Sequence, residues 1–247
     1  MQYFAVIVAG GVGKRAGGSM PKQFVAICGV PMILRTLDSF HSFDPSMKIA
    51  VVMNEDYIED YGEMLKKYEV DIDHLVCPGG VDRCESVING LKVLKEVYPD
   101  ERYGFVAVHD AARPLVDSEI LRRGFTAARE GIGCVPVTEC VNSLRHIIAG
   151  KEAAAGCAAS ESVVRKDYME VQTPQIFSLG EIWDAYSRVA TERESFSGFT
   201  DDASVAEAAG IPIVMYAGSE ENIKVTHPID FKIAEIILKE RKNERSL

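Results

Sequence analysis

The sequence has no closely spaced pair of cysteines. Its six cysteines lie at least six positions apart, so no C-x-x-C motif is present. Without that motif, the sequence indicates neither a structural zinc site nor a thioredoxin-like redox site. We therefore expect reduced thiols that fill small spaces in the core, at Cys28, Cys77, Cys84, Cys134, Cys140 and Cys157.

Basic residues are fewer than acidic residues. The 27 Lys and Arg residues against 37 Asp and Glu residues give a formal net charge of −10 over 247 residues. Long nucleic acids require a concentrated basic surface, so this balance argues against them as the main partner. It does not exclude a small anion, because a local cluster of basic side chains can bind one.

Long apolar runs, internal repeats and low-complexity linkers are also missing. No apolar run approaches the roughly 18 residues that span a membrane. The first residues, MQYFAVIVAGG, have no basic segment and reach glycine early, which is not typical of a signal peptide. We therefore expect a cytoplasmic protein with no membrane partner. At roughly 150 residues per domain, the length allows one large domain or two small ones.

Short apolar runs alternate with helical patterns along the chain. Near-continuous apolar character is typical of strands covered on both faces, and it predicts strands at residues 3–9, 48–53, 105–109, 133–137 and 213–216. Apolar stripes at helical spacing predict helices around residues 33–40, 87–97, 120–128 and 231–238. This alternation predicts a mostly parallel α/β sheet, whose ligand crevice lies at the carboxyl ends of the strands, after Ala9, Cys77 and His109.

Residues 139–171 interrupt this rhythm. Their middle, residues 153–159, is rich in small side chains, and the segments on either side look extended. Two extended segments around a turn-rich centre predict a projecting hairpin arm. A surface loop is an equally good interpretation of the sequence alone.

The strongest local motif follows the first predicted strand. Residues 9–15 read AGGVGKR, and residues 20–24 read MPKQF. A glycine-rich turn at a strand end lets backbone N–H groups approach a phosphate chain closely. Arg15 and Lys22 would place fixed positive charge beside such a phosphate.

Two other phosphate-binding motifs share glycines with this turn. The Walker A pattern fails, because it needs glycine in place of Val8 and a hydroxyl residue in place of Arg15. The dinucleotide fingerprint G-x-G-x-x-G/A does match, at Gly11, Gly13 and Ala16. That fingerprint requires a helix at once, and the glycines at 17 and 18 and the proline at 21 would break it. A dinucleotide-dependent oxidoreductase stays open as an alternative from another enzyme class.

The segment HDAARP ends the predicted strand at residues 105–109. An aspartate at a carboxyl strand end is well placed to hold Mg²⁺ that bridges phosphates, which makes Asp110 the candidate ligand. Arg113 would orient Asp110, meet a substrate phosphate or form a purely structural ion pair. His109 is interpreted as a packing residue or as support behind the site.

Further polar clusters lie beside predicted elements. In the segment GGVDRCESV, the glycines would let backbone lie against a planar base, with the Ser86 hydroxyl as an extra partner. The alternative is a simple turn with Ser86 near the helix start. Asp201 or Asp202 would merely cap the helix that runs to Ala209, and Lys224 would be a solvated surface lysine.

Together these motifs resemble a known family in order and spacing. The set AGGVGKR…PKQF, GGVDRCESV, VHDAARP, QTPQIF, TDDAS and NIKVT is similar to that of the 2-C-methyl-D-erythritol 4-phosphate cytidylyltransferases, over almost the whole chain. The resemblance implies one Rossmann-like nucleotidyltransferase domain over residues 1–247. It would have a mostly parallel twisted sheet, helices on both faces and an arm at about 139–171 that forms a homodimer. The implied reaction is Mg²⁺-dependent transfer of CMP from CTP to a sugar-alcohol phosphate, with release of pyrophosphate.

The resemblance also implies roles for individual residues. Arg15 and Lys22 would stabilise the transition state, and Asp110 would bind Mg²⁺. Lys224 and Arg165 would position the substrate phosphate, with Arg165 donated across the dimer. The nucleotide would be held by Ala9, Gly10, Gly11 and Gly13 and its cytosine read by Gly80, Val81 and Ser86, and Arg113, Thr173 and Ser143 would line the substrate pocket.

The chain departs from the family pattern at the arm. The family has a short Asp-Thr-hydrophobic-Lys stretch there, whereas this chain has the longer segment ECVNSLR, in which Ser143 would replace the substrate-binding threonine. Val164 replaces an acidic residue before Arg165. Two alternatives within nucleotide chemistry remain, a ribitol 5-phosphate cytidylyltransferase and a catalytically silent nucleotide-binding protein.

Overall fold

A computed structural model of the chain describes residues 1–10, 21–99, 104–154, 157–192 and 195–244, with side chains left undescribed at 149–154, 157 and 244. Its centre is an eight-stranded sheet in the order β10-β7-β11-β6-β1-β4-β5, with β12 paired to β7. The strands of this sheet are β1 (Tyr3–Ala9), β4 (Lys48–Met53), β5 (Leu75–Pro78), β6 (Phe105–Asp110), β7 (Gly133–Glu139), β10 (Met169–Val171), β11 (Gln175–Ser178) and β12 (Ile213–Ala217). A separate two-stranded hairpin joins β2 (Ala26–Ile27) to β3 (Val30–Pro31).

The sheet is mostly parallel, as the sequence predicts. The pairs β1–β4, β1–β6, β4–β5 and β7–β12 are parallel. Only β10 and β11 pair antiparallel with their neighbours. All five predicted strands are therefore confirmed, three of them one or two residues longer than predicted.

Helices cover both faces of this sheet. Ala5 and Ile7 of β1 belong to one apolar core, and Phe4 and Val6 belong to the core on the opposite face. This alternation follows from the two-residue period of a strand. The helices are α1 (Met32–Phe43), α2 (Ile58–Lys67), α3 (Arg83–Val97), α4 (Ser118–Ala127), α5 (Leu179–Glu192), α6 (Asp202–Ala208) and α7 (Pro228–Glu244).

The arm contains a hairpin, which confirms that interpretation over the surface loop. Strands β8 (Arg145–Ala154) and β9 (Cys157–Ser162) pair antiparallel, with Arg145 opposite Ser162. The hairpin is shorter than the predicted arm at 139–171, because Met169–Val171 pairs with β7 in the main sheet. Among the described residues, no helix is both long and apolar enough to cross a membrane.

The cysteines of the described part are free thiols. Cys77, Cys84, Cys134 and Cys140 are buried, in agreement with the prediction, but Cys28 is exposed. Cys28 and Gly29 have φ angles of 48° and 80°, the positive values of a tight two-residue hairpin turn. A turn tip projects from the sheet, and the prediction of a core role was therefore wrong for Cys28.

Candidate active site

The carboxyl ends of β1, β5 and β6 meet at one cleft of about 430 Å³. Parallel strands place their carboxyl ends on the same edge of a sheet, so this position is the one the sequence predicts. The cleft is lined by Val8, Ala9, Gly10, Lys22, Gln23, Gly80, Val81, Asp82, Arg83, Ser86, Asp110, Ala111, Ala112 and Lys224. The structure thus brings together eight of the predicted site residues. Gly11, Gly13 and Arg15 lie outside the described residues, and their roles stay predictions.

Lys22 is held at the cleft by a short turn of 3-10 helix, Lys22–Phe24. Its Nζ donates to the carbonyl oxygen of Val225 at 2.8 Å. The neighbouring Gln23 is buried and donates from Nε2 to the carbonyl oxygen of Ala9 at 2.6 Å, at the end of β1. Because both side chains bond to backbone, the turn is fixed relative to the sheet and the lysine is held at the cleft.

Asp110 lies at the end of β6 and binds a cation at each carboxylate oxygen. Oδ1 accepts from Arg83 Nε at 3.1 Å, and Oδ2 accepts from Lys224 Nζ at 2.6 Å. Burial alone would raise the pKa of Asp110, but the charges of Arg83 and Lys224 hold that pKa well below its ordinary value. Asp110 is therefore a carboxylate at any physiological pH. Lys224 is therefore an ion-pair partner of Asp110 as well as a partly exposed lysine.

Arg83 is the residue of this site that sequence reasoning missed. Besides Asp110, it binds Asp202, with Nη1–Oδ1 and Nη2–Oδ2 distances of 3.0 and 2.7 Å. Asp202 is fully buried and also accepts from the Tyr186 hydroxyl at 2.7 Å. Burial lowers the pKa of Arg83, but Asp202 and Asp110 outweigh it and raise that pKa well above its ordinary value.

The adjacent aspartates of the TDD segment have different roles. Asp201 caps α6 by accepting from the Ser204 N–H at 3.0 Å, so the capping alternative is correct for this residue. Asp202 is instead the buried partner of Arg83. The only signal in the sequence was the second carboxylate, which a cap does not require.

His109 and Thr173 lie behind the carboxylate in a chain of hydrogen bonds. His109 Nε2 is 3.1 Å from the Arg113 carbonyl oxygen, which can only accept, so this nitrogen carries the proton. The Thr173 hydroxyl can then donate to Nδ1 at 3.0 Å while accepting the Asp110 N–H at 3.1 Å. Burial lowers the pKa of His109 to about 4, so the ring is neutral. This confirms the supporting role predicted for His109.

A second cleft of about 410 Å³ lies on the other side of Lys224. It is lined by Arg113, Thr138, Glu139, Val141, Glu170, Val171, Gln172, Glu220, Ile223 and Lys224. Two cations at one cleft suit a phosphate, and the glutamates suit hydroxyl groups. Arg113 donates from Nη1 to the Asn222 carbonyl oxygen at 2.7 Å, and burial lowers its pKa. A phosphorylated polyol matches this combination.

The remaining predicted substrate residues do not line either cleft. Thr173 is buried, and Ser143 is exposed at the base of the arm. Arg165 is exposed in a 3-10 turn, Arg165–Asp167, and donates from Nη1 to the Val141 carbonyl oxygen at 2.6 Å. Their substrate-binding roles stay predictions.

The donor set of the first cleft, which contains Asp110, fits Mg²⁺ in one way. The described residues contain no group of three or more His, Cys, Asp and Glu side chains that could hold a metal. Mg²⁺ commonly takes only one or two carboxylates, with substrate phosphates and water as the other ligands. Asp110 can be such a carboxylate ligand if Lys224 turns from Asp110 toward a phosphate. The Lys224 side chain has room for this movement because it is 45% exposed.

Comparison with known proteins identifies the family of the chain. The sequence model of the family IspD, 2-C-methyl-D-erythritol 4-phosphate cytidylyltransferase, matches residues 3–240. The enzyme of that name from Bacteroides fragilis is 40% identical over 95% of this chain and 98% of its own. The one from Bacteroides thetaiotaomicron is 37% identical over 96% of this chain and 100% of its own.

A solved structure shows the same fold. The cytidylyltransferase of that name from Francisella tularensis superposes with a TM-score of 0.77 at 25% identity, and the match covers 96% of this chain and 99% of the other. These matches do not favour the oxidoreductase or ribitol alternatives. The chain belongs to the 2-C-methyl-D-erythritol 4-phosphate cytidylyltransferase family.

Proposed function

We propose that the protein transfers CMP from CTP to 2-C-methyl-D-erythritol 4-phosphate, giving the CDP-alcohol and pyrophosphate. The observation that carries the proposal is the position of Lys224, which lines both clefts. CTP would bind in the cleft that contains Asp110, the nucleotide cleft, and the alcohol phosphate would bind in the second cleft, the polyol-phosphate cleft. A cation shared by two clefts can bring together two phosphates that repel each other. Family membership supplies the identities of the two substrates.

The reaction needs alignment and charge more than it needs a base. A phosphate oxygen of the alcohol substrate attacks the α-phosphorus of CTP, and the bond to the pyrophosphate leaving group breaks. Because this oxygen is already anionic, no proton has to be removed. Lys22 would stabilise charge on the α-phosphoryl group, and the family resemblance implies the same role for Arg15. Lys224 and Arg113 would hold the attacking phosphate.

Three further properties extend the proposal. Asp110 would hold Mg²⁺ together with the nucleotide phosphates, and the metal would neutralise charge on those phosphates. The arm would form a homodimer and place Arg165 in the partner's site, since its exposed apolar side chains, Val141, Ile147 and Val164, suit an interface. The free thiols of the described part suit the reducing cytoplasm.

Pyrophosphate release tests the substrate assignment. Purified protein is incubated with CTP and Mg²⁺, together with 2-C-methyl-D-erythritol 4-phosphate, ribitol 5-phosphate or no alcohol. We expect pyrophosphate only with an alcohol phosphate, at a kcat/KM at least about tenfold higher for the methylerythritol substrate. Preference for ribitol 5-phosphate, or release without any alcohol, would contradict the assignment.

A further inference from the structure

The loop of Gly79, Gly80 and Val81, which borders the nucleotide cleft, uses its backbone N–H groups in hydrogen bonds within the protein. The Gly79 N–H donates to the Met53 carbonyl oxygen at 2.7 Å. The Gly80 N–H donates to Ser86 Oγ at 3.1 Å, and the Val81 N–H donates to Glu85 Oε2 at 3.0 Å. Three successive N–H groups are therefore unavailable to a ligand.

The hydroxyl proton of Ser86 is also used in a hydrogen bond within the protein. Ser86 Oγ donates to the Asp82 carbonyl oxygen at 2.8 Å. A hydroxyl has one proton and two lone pairs, so after accepting from Gly80 it keeps a single acceptor site. This oxygen lies at the floor of the cleft, only 3.5 Å from the position that a Cβ on Gly10 would take.

The polar atoms that this loop and Ser86 can still present to a ligand are hydrogen-bond acceptors. Within the described part of the chain, no hydrogen bond ends on the carbonyl oxygen of Gly80 or Val81. The C=O and N–H of a trans peptide point in opposite directions. Anchoring the Val81 N–H at Glu85 therefore directs the Gly80 carbonyl away from α3. An acceptor opposite position 4 of a pyrimidine suits an amino group there and repels a carbonyl.

Cytosine and uracil differ in this respect. Cytosine carries an amino donor at C4, and uracil carries a carbonyl acceptor there. We propose that Glu85 is a specificity-determining residue: by holding the Val81 N–H, it keeps the Gly80 carbonyl, and not an N–H, opposite position 4 of the base, which selects cytosine over uracil. The inference rests on the proposed function and adds a residue that sets the choice of base.

The contact between Gly80 and Glu85 explains why the carboxylate controls this peptide. A Cβ built on Gly80 would overlap the Cβ of Glu85, so the loop lies directly on the first turn of α3. Glycine also lets the peptide that follows it rotate at little cost. Without the carboxylate, that peptide is free to turn its N–H toward the base and to donate to O4 of uracil.

Nucleotide discrimination tests the proposal. Dissociation constants for CTP and UTP are measured by calorimetry without the alcohol, and kcat/KM is measured for both nucleotides with 2-C-methyl-D-erythritol 4-phosphate. Wild-type protein should prefer CTP in both measurements. Glu85→Ala and the similarly sized Glu85→Met should lower the CTP/UTP ratio about tenfold, as expected when one polar contact changes its preference.

Two control variants separate base selection from a general effect on the loop. Glu85→Gln keeps an acceptor for the Val81 N–H and should retain most of the ratio. Glu96→Ala removes an exposed carboxylate near the other end of α3 and should leave the ratio unchanged. A wild-type ratio near one, an unchanged ratio in Glu85→Ala and Glu85→Met, or an equal fall in Glu85→Gln would overturn the proposal. Binding that prefers CTP without any transfer to the alcohol would instead refute the proposed function alone.

Discussion

Asp110 receives one cation at each carboxylate oxygen, and the two cations have different environments. Arg83 is largely enclosed, and it is held on its other side by the fully buried Asp202. Lys224 is more exposed and faces both clefts. Arg83 is therefore the fixed partner of the carboxylate, whereas Lys224 is the partner that can move to a substrate phosphate.

Lys22 offers the simplest test of charge at the reacting centre. Lys22→Ala removes a cation from the nucleotide cleft, and turnover should fall by about a hundredfold or more, as for loss of one preorganised charge donor. The measurement is steady-state pyrophosphate release, with folding checked by thermal unfolding. The control is Lys66→Ala, which removes an exposed lysine on α2 and should leave turnover unchanged. Near-normal turnover of Lys22→Ala would refute the role given to this lysine.

His109 predicts how stability depends on pH. Its pKa is about 4 in the folded protein because the ring is buried, against an ordinary value of 6.5. The unfolded chain therefore binds a proton in this range that the folded protein does not, so stability falls as pH falls from 6.5 toward 4. Between pH 6.5 and 5, this group should lower the free energy of unfolding by about 1.5 kcal/mol.

Urea unfolding at several pH values measures this dependence. The slope of stability against pH between 5 and 6.5 should be smaller in His109→Gln than in wild type, whatever the absolute stability of the variant. His146→Gln alters an exposed ring in the arm and should keep the wild-type slope. Equal slopes for His109→Gln and wild type would show that the buried ring is not the cause.

At the scale of elements, the central strands and their order of appearance could be predicted because burial on both faces leaves a direct trace in the sequence. The strand KIAVVM has five fully buried residues in succession. By contrast, β11 has only four residues, of which two are polar, and its apolar run is too short to stand out. Helix α2 was also missed, because Tyr61 is its only buried residue.

The site could be predicted only in part, because the sequence locates strand ends but not contacts between distant residues. The residues that follow strands, such as Gly80 and Asp110, could be placed because strand ends converge. The pairing of Arg83 with Asp202 joins residues 119 positions apart and has no periodic trace. Likewise, the sequence could indicate that Ser86 faces a base, but not that its proton is already donated to Asp82.

The contact between Arg83 and Asp202 joins α3 to α6, and Tyr186 adds α5 to the same cluster. Asp202→Asn keeps the shape of the side chain but leaves the arginine with Asp110 as its only carboxylate partner. Loss of one member of a buried pair typically costs 3 kcal/mol or more. We expect about 2–3 kcal/mol here, because one partner remains.

Chemical denaturation of Asp202→Asn measures this cost. The exposed pair of Arg188 and Glu192 supplies the control, and Glu192→Gln should change stability by less than about 1 kcal/mol. If Asp202→Asn were as stable as Glu192→Gln, the cluster would not contribute to holding these three helices together.

At the scale of the whole molecule, a net charge of −10 coexists with a local group of cations at the two clefts. Lys22, Arg83, Arg113 and Lys224 all line the adjoining clefts. The average charge argues against a long polyanion, but this local cluster can bind a nucleotide and a sugar phosphate. The net charge is a property of the whole chain, whereas the fold brings particular lysine and arginine side chains together at the clefts.

Mixing two inactive variants tests the proposed dimer. Lys22→Ala and Arg165→Ala each lack one required cation, so each alone should have little activity. If Arg165 acts in the partner's site, a mixed dimer has one complete site. Random exchange of subunits should then restore about a quarter of wild-type activity. No recovery, with mixed dimers shown to form by sedimentation of labelled subunits, would place Arg165 in its own subunit's site or outside the reaction.

Phosphorus-31 NMR of the reaction mixture tests the proposed transfer most directly. With CTP, Mg²⁺ and 2-C-methyl-D-erythritol 4-phosphate, the substrate phosphate should convert to one half of a diphosphate bridge, seen as two mutually coupled signals, with an equal amount of inorganic pyrophosphate. Formation of CMP while the alcohol phosphate stays unchanged, or no consumption of CTP, would contradict cytidylyl transfer by this protein.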